Sequence, residues 1–161
     1  MKILFEKFSF LSVIIVCMVF CIFLFSGSHI ILTNKPNNLG LKNQLLSPCP
    51  RTPNCVSSQG KNRQNSIQPI TYKDSFEQAK EGIFRVINSM RGTRIITKEL
   101  FYLHAEFTSK LLRFTDDVEF YFDESQSLIH VRSASRQGYW DLGVNRKRVE
   151  TIRSRFEEFS K

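Results

Sequence analysis

Two stretches of the chain alternate apolar and polar residues with the period of an amphipathic helix. Residues 74–90 carry apolar side chains three and four positions apart, and Asp74 and Glu77 resemble a capping box at the start. Residues 146–159 carry a second apolar stripe, and Asn145 precedes it as a suitable N-cap. The pattern therefore predicts one helix before and one helix after the central part of the chain.

Between these helices the period changes to two, which is typical of strands. Residues 101–107, 114–122 and 129–131 alternate between apolar and polar side chains. Residues 94–98 are a further candidate strand, and a short leading strand near residues 67–70 can join the edge of the sheet. The order predicts an α+β fold, with an antiparallel sheet of four to five strands and both helices on its apolar face.

The polar residues of these strands fall on the other face of the predicted sheet. Two registers match the apolar sets of the last hairpin: one places Asp117 opposite Arg132, and the other places Glu119 opposite Arg132. The preceding hairpin can bring His104 beside Asp117. We therefore expect these residues, together with His130, to gather on the open, solvated face of the sheet.

The N-terminal segment has a different pattern. Residues 8–25 contain no charged side chain, and continued to residue 32 they are long enough to span a hydrocarbon core. We expect an uncleaved transmembrane helix. A cleaved signal peptide is the main alternative, because Lys2 and Lys7 precede the apolar run and small residues follow it at 26–28. A buried core helix is the third interpretation.

The segment after residue 32 has neither apolar period and is rich in Asn, Gly, Lys and Pro, which is typical of a tether. The predicted organisation is a membrane anchor or signal segment at residues 1–32, a tether at 33–46 and a single α+β domain at 47–161. The expected location is the membrane, with a single pass and with the soluble domain outside the cytoplasm, periplasmic or extracellular.

Composition and charge narrow the classes of partner. The 161 residues are 42% hydrophobic with a net charge of +8, which excludes a collagen, a coiled coil, a polytopic membrane protein and a wholly disordered chain. The basic residues are dispersed and form no nucleic-acid-binding motif. We therefore expect no nucleic-acid partner, and the charge suits anionic lipid headgroups or envelope polymers.

Cys49 and Cys55 lie in a short stretch that also contains Pro48, Pro50 and Pro53. In an oxidising compartment the two cysteines could close this stiff loop as a disulfide, which would stabilise the fold by about 2 kcal/mol. Reduced packing cysteines and a metal or redox pair are the alternatives, although the spacing is not that of a zinc or thioredoxin-like motif. No metal and no cofactor are expected.

Three motifs carry a family resemblance. They are Pro-Cys-Pro followed by Thr-Pro-Asn-Cys-Val-Ser-Ser at residues 48–58, Phe114 with Asp-Asp-Val-Glu-Phe at 116–120, and the Arg-Ser-Ala-Ser-Arg stretch that continues to residue 146. In this order they resemble the family catalogued as domain of unknown function 1499, from about residue 45 to the C-terminus. The resemblance implies a small secreted or membrane-attached protein, and it transfers no catalytic residue.

The last of these motifs is the first candidate for a functional site, because residues 132–146 mix turn residues, aromatic residues and charges without any period. A loop of this kind either contacts a ligand or partner or is a purely structural connection. The predicted ligand-binding residues are Arg132, Ser133, Ser135, Arg136, Tyr139, Asp141, Asn145 and Arg146.

The polar face of the sheet is the second candidate, with three interpretations. Cross-strand ion pairs on a solvated face are one, and a binding surface for an anionic or sugar-like ligand is another. In the third, His104 is a general base oriented by Asp117, and Arg132 stabilises negative charge, as in a hydrolase or isomerase. No nucleophile motif accompanies them, so we expect a domain that binds a cell-envelope component or a protein partner. An enzyme and a purely structural envelope protein are the alternatives.

Overall fold

The computed structural model describes residues 14–19 and 35–159. The chain divides into two compact units, Met1–Leu32 and Thr33–Lys161. The transmembrane helix in the predicted fold class is not found, because no helix among the described residues is long and apolar enough to cross a membrane. Residues 14–19 are helical. The rest of the predicted anchor or signal segment lies outside the described residues.

Within residues 35–159, the second unit contains eight strands and two helices. In chain order these are β1 (Leu41–Lys42), β2 (Leu45–Leu46), β3 (Cys55–Ser57), β4 (Ile70–Thr71), α1 (Phe76–Ser89), β5 (Thr93–Lys98), β6 (Tyr102–Thr108), β7 (Thr115–Asp123), β8 (Leu128–Ser135) and α2 (Val144–Phe159). The main sheet has the order β3-β8-β7-β6-β5, β4 also pairs with β8, and β1 and β2 form a separate two-stranded sheet.

The strand count corrects the predicted four to five strands, because the main sheet has six. The additional strand is β3, which pairs antiparallel with β8 so that Cys55 lies opposite Ala134. A three-residue strand beside a proline-rich loop is too short to show a period of two. Here the eight-residue β8 provides the hydrogen bonds that make this short segment a strand.

Both helices pack on one face of the main sheet. Helix α1 begins at a capping box formed by Ser75 and Gln78 rather than at Asp74, and it buries Ile83, Val86 and Ile87. Helix α2 buries Val149, Ile152 and Phe156. These side chains form one core cluster with the apolar residues that alternate along β6, β7 and β8. Burying this face is the main stabilising contribution to the fold.

The opposite face of the sheet is buried as well, which contradicts the expectation of an open, solvated face. His104 and Asp117 are each 1% exposed and Glu119 is 0% exposed. The cover comes from residues 35–46, where Leu46 packs against Tyr102 and Tyr121. The face was expected to be solvated because the segment that covers it has no apolar period of its own.

Candidate functional site

A layer of ionic and polar side chains lies between the sheet and its cover. We call this group the ionic layer, and it consists of Tyr102, His104, Glu106, Asp117, Glu119, Arg132 and Arg136. The β7–β8 register places Glu119 opposite Arg132, which confirms the second of the two predicted registers. The β6–β7 register places His104 opposite Glu119 and Glu106 opposite Asp117. Alternation along three neighbouring strands therefore brings these side chains to one face.

Glu119 is the fully buried carboxylate at one end of the ionic layer. Its Oε2 accepts a hydrogen bond from Arg132 at 2.7 Å. Its Oε1 accepts from the hydroxyl of Tyr102 at 2.7 Å and from the backbone N–H of Gly40 at 2.8 Å. Burial and the neighbouring Glu119 raise the pKa of Tyr102, so this phenol is a hydrogen-bond donor at physiological pH. The Gly40 bond also fastens the covering segment to the sheet.

Asp117 is the second buried carboxylate, and Arg136 binds it in bidentate fashion. Arg136 Nε donates to Asp117 Oδ2 at 2.8 Å, and its terminal nitrogen donates to Oδ1 at 2.7 Å. Burial alone would raise the pKa of Asp117, but hydrogen bonds from Arg136 and His104 outweigh it and hold this pKa below its ordinary value. The hydrogen bond to Asp117 also raises the pKa of Arg136. Asp117 is therefore an ionised, acceptor-only group.

His104 is oriented by this carboxylate. Its Nε2 lies 2.8 Å from Asp117 Oδ1. Because an ionised carboxylate can only accept, Nε2 must carry the proton of this hydrogen bond, which leaves Nδ1 with a lone pair in the neutral ring. Nδ1 is buried and has no hydrogen-bond partner among the described residues. His104 therefore presents one committed and one uncommitted nitrogen.

His104 also lines a cavity of about 470 Å³ between the sheet and the covering segment. The other lining residues are Lys35, Pro36, Asn37, Leu39 and Gly40 from the cover and Thr97, Glu99 and Tyr102 from the sheet side. A larger cavity of about 540 Å³ lies along α1 and contains none of the ionic layer. The cavity of about 470 Å³ is thus adjacent to two buried titratable groups, His104 and Tyr102.

The three predicted catalytic candidates are only partly brought together. His104 and Asp117 form the predicted pair, whereas Arg132 is bound to Glu119. The guanidinium that reaches Asp117 is that of Arg136, which was assigned to the loop. Arg136 directly follows β8, which ends at Ser135, and counting in steps of two from Arg132 places it on the same face of the sheet.

Asn145 connects the predicted ligand-binding loop to the rest of the domain. It is completely buried inside α2, so the prediction that it is an N-cap is wrong. Its Nδ2 donates to Asn54 O, Ser135 Oγ and Asp141 Oδ2, each at 2.9 Å. Its Oδ1 accepts from Ser133 Oγ at 2.6 Å. Asp141 provides the capping contacts instead, because its carboxylate accepts from the backbone N–H groups of residues 143 and 145.

The remaining loop residues divide into bonded and exposed groups. Arg146 donates to the carbonyl oxygens of Gln64 and Ser66. Tyr139 and Trp140 are 72% and 66% exposed. Of the eight predicted ligand-binding residues, Tyr139 is the one whose side chain the structure leaves on the surface. Ligand binding by the set as a whole stays a prediction.

The predicted disulfide between Cys49 and Cys55 is confirmed. The loop that it closes contacts the predicted ligand-binding loop, because Asn54 Nδ2 donates to the carbonyl of Gly138 at 2.6 Å. A cleft of about 180 Å³ lies here, lined by Cys55 and Trp140 among others. Asn54 is a structural residue that the sequence did not single out. Across the described residues, no group of three or more His, Cys, Asp or Glu side chains is arranged to hold a metal ion.

Most of the chain matches the model of a known protein family. The family described as "Protein of unknown function (DUF1499)" matches residues 45–156, more than two thirds of the 161 residues. The matched range includes the disulfide loop, the ionic layer and most of α2. No curated protein matches the sequence. The chain therefore belongs to the DUF1499 family of proteins of unknown function.

Proposed function

We propose that this domain is a binding module for a small, hydroxyl-rich molecule of the sugar class, which it holds in the cavity lined by His104. The observation that carries the proposal is the uncommitted Nδ1 of His104. This nitrogen is buried, oriented by Asp117 and without a partner among the described residues. A buried polar atom of this kind costs about 1–3 kcal/mol unless it is satisfied. A ligand hydroxyl that donates to Nδ1 recovers this free energy once the covering segment moves aside, because the nitrogen itself has almost no exposed surface.

The chemistry of the cavity wall supports a ligand with many hydroxyl groups. The wall contains acceptors, such as the carboxylate of Glu99, and donors, such as the ammonium of Lys35. Asn37 and Thr97 contribute an amide and a hydroxyl that can do both. A hydroxyl group also donates and accepts, so a polyol can satisfy this mixed set better than a simple anion can. An envelope saccharide is the corresponding cellular source.

The pairing of charges in the ionic layer favours binding over catalysis. Arg132 pairs with Glu119. Arg136 pairs with both Asp117 and Glu106, and Arg94, whose side chain is 75% exposed, reaches Glu106 from outside the layer. Each arginine of the layer is thus already bound to a carboxylate, so none is in place to stabilise the negative charge that develops during a reaction.

A hydrolase or isomerase that uses His104 as its general base is the second candidate. The 2.8 Å contact between His104 and Asp117 favours it, since it fixes the ring as in a catalytic pair. Against it, Arg132 is bound to Glu119 and is not free to stabilise a developing anion. The same contact is also useful in a binding site, because it holds the His104 ring as a hydrogen-bond acceptor in a fixed orientation.

The disulfide supports the proposal that the domain functions in an oxidising compartment. Structural disulfides persist in secreted, periplasmic and surface proteins and are rare in the cytosol. The disulfide between Cys49 and Cys55 closes a short loop. Asn54 in this loop donates a hydrogen bond to the carbonyl of Gly138 in the predicted ligand-binding loop. We accordingly place the domain outside the cytoplasm, where envelope saccharides occur.

The test is titration of the full chain with hexoses and hexosamines, followed by calorimetry and thermal unfolding. Wild type and His130→Phe are expected to bind, because His130 Nδ1 is already engaged with Ser58 and lies outside the cavity lining. His104→Phe, which lacks Nδ1, is expected to lose binding. Thr97→Val keeps the His104–Asp117 pair and is expected to weaken binding. Absence of binding to wild type at millimolar sugar, or equal binding by His104→Phe, would overturn the proposal.

A further inference from the structure

One end of the main sheet carries exposed apolar side chains on two neighbouring loops. We call this group the apolar tip, and it consists of Leu111, Leu112, Phe114, Tyr139, Trp140 and Leu142. Leu111 is 89% exposed and Leu142 is 74% exposed. Both loops leave the sheet at the same end, because the N–H of Arg136 donates to the carbonyl of Thr115.

The hairpin part of the apolar tip is an ordered turn. The N–H of Ser109 donates to the carbonyl of Phe114 at 2.9 Å, and the N–H of Arg113 donates to the carbonyl of Ser109 at 3.1 Å. The Ser109 hydroxyl also accepts from the N–H of Phe114 at 3.0 Å. The turn thus holds its two leucines outward by its own hydrogen bonds. Exposing them costs free energy that a fitting surface would recover.

Cations surround the apolar tip. Lys110 and Arg113 flank the two leucines, and Arg91 precedes Gly92, whose carbonyl accepts from the N–H of Thr108 at the same end of the sheet. None of these three cations forms an ion pair within the part of the chain that the structure describes.

Most of the charge at this end is positive. Asp116 pairs with Arg148, and Asp141 remains an anion whose carboxylate accepts from the N–H groups at the start of α2. With Arg91, Lys110 and Arg113 outnumbering this one carboxylate, the apolar tip combines exposed leucines and aromatic rings with a rim of net positive charge. Leucine, tyrosine and tryptophan beside lysine and arginine are the side chains that enter the interface of an anionic bilayer.

From this combination, we propose that the apolar tip is a membrane-contact surface that inserts shallowly into an anionic lipid bilayer. The proposal is independent of the cavity lined by His104. Charge complementarity selects the occupant, because the unpaired cations match anionic headgroups and the leucines match the acyl region. A protein partner would be the other class of occupant, and the following experiment distinguishes the two.

Trp140 is the sole tryptophan of the sequence and belongs to the apolar tip, so its emission reports on this surface in the full chain. The probe is a vesicle of phosphatidylcholine with or without phosphatidylglycerol, prepared with brominated acyl chains that quench tryptophan on contact. The expected result is a blue shift and quenching with phosphatidylglycerol vesicles. Leu111→Ser with Leu112→Ser should abolish the shift, and added salt should weaken it.

Two matched charge variants test whether vesicle binding depends on the cations beside the apolar tip or on the net charge of the whole protein. Lys110→Gln with Arg113→Gln should lower vesicle affinity by about fivefold for each charge removed. Lys61→Gln with Arg63→Gln removes the same charge from exposed positions of another loop and should leave the affinity unchanged. Unaltered Trp140 emission with phosphatidylglycerol vesicles would overturn the proposal and point to a protein partner. An equal loss of vesicle affinity in the two double variants would also overturn it.

Discussion

His104 Nε2 lies 2.8 Å from Asp117 Oδ1, and each of the two side chains is only 1% exposed. The two residues come from neighbouring strands, and Asp117 is simultaneously bound in bidentate fashion by Arg136. The carboxylate of Asp117 thus fixes the side chains of His104 and Arg136 on the face of the sheet that lies under the covering segment. This arrangement determines both the stability of that face and the direction in which His104 can act.

Replacing Asp117 with Ala should be strongly destabilising. The substitution leaves Arg136 and His104 buried without their shared acceptor, so the free energy of unfolding should fall by about 3–5 kcal/mol. The control is Glu81→Ala, because Glu81 forms an exposed i,i+4 pair with Arg85 and its loss should cost under about 0.5 kcal/mol. Urea denaturation measures both. Similar costs for the two variants would contradict the importance of the ionic layer.

The stability of the fold should depend on the ionisation of Asp117 and Glu106. Burial opposes ionisation of both, but hydrogen bonds from Arg136 and from His104 or Arg94 outweigh it, so both pKa values lie below the ordinary 3.8 and 4.5. A lowered folded-state pKa gives stability that is present above the unfolded value and is lost as the pH falls through the folded value. The free energy of unfolding should therefore decrease below about pH 4.5.

The Asp117→Asn variant isolates this effect. The amide introduced by this substitution cannot ionise, so the stability difference between wild type and variant should be constant above about pH 5 and should narrow as the pH falls below 3.8. Denaturation in urea across this range measures the difference. A difference that does not change with pH would show that folding leaves the pKa of Asp117 at its unfolded value, which would contradict the assigned hydrogen bonds.

The stability of the fold should be sensitive to the replacement of a single side-chain atom of Asn145. Asn145→Asp replaces the Nδ2 donor with an oxygen that faces Asn54 O, Ser135 Oγ and Asp141 Oδ2. We expect a loss of about 2–3 kcal/mol, because buried acceptors then lack their donor. Ser133→Ala removes one hydrogen bond to Asn145 and should cost less. Thermal unfolding compares them, and the reverse order would contradict the assigned network.

Removal of the disulfide should lower stability moderately. Closing the loop between Cys49 and Cys55 contributes about 2 kcal/mol on the chain-entropy estimate, so Cys49→Ser with Cys55→Ser should lose about this amount. Cys17→Ser, which changes the free cysteine of the described residues, should leave the free energy of unfolding unchanged. Mass spectrometry of the unreduced protein provides the direct check. Free thiols at both loop positions would contradict the bond.

The sequence predicted those parts of the fold that have a long, regular period. Helices α1 and α2 and strands β6 and β7 each contain several repeats of their pattern, and matching the apolar sets of β7 and β8 left only two registers. The proximity of His104 and Asp117 followed from the same alternation. Local pattern therefore sufficed wherever a strand or helix was long enough to show it.

Features that depend on contacts between distant, short segments were not predictable in this way. Strand β3 has three residues, and β1 and β2 have two each. Whether Glu119 is solvated or buried depends on Gly40, which lies 79 positions away and has no side chain to signal the contact. The N-terminal transmembrane helix was inferred from hydropathy alone, and no described helix of sufficient length supports it.

The most direct test of a binding site built on His104 is the ring ¹⁵N NMR spectrum of this residue, measured with and without a hexose. Before ligand is added, Nε2 should be protonated and Nδ1 unprotonated. On titration the Nδ1 signal should move toward that of a hydrogen-bonded nitrogen, while the ring of His130 stays unchanged. A protonated Nδ1 with a bare Nε2, or an Nδ1 signal that no hexose moves, would contradict the assignment.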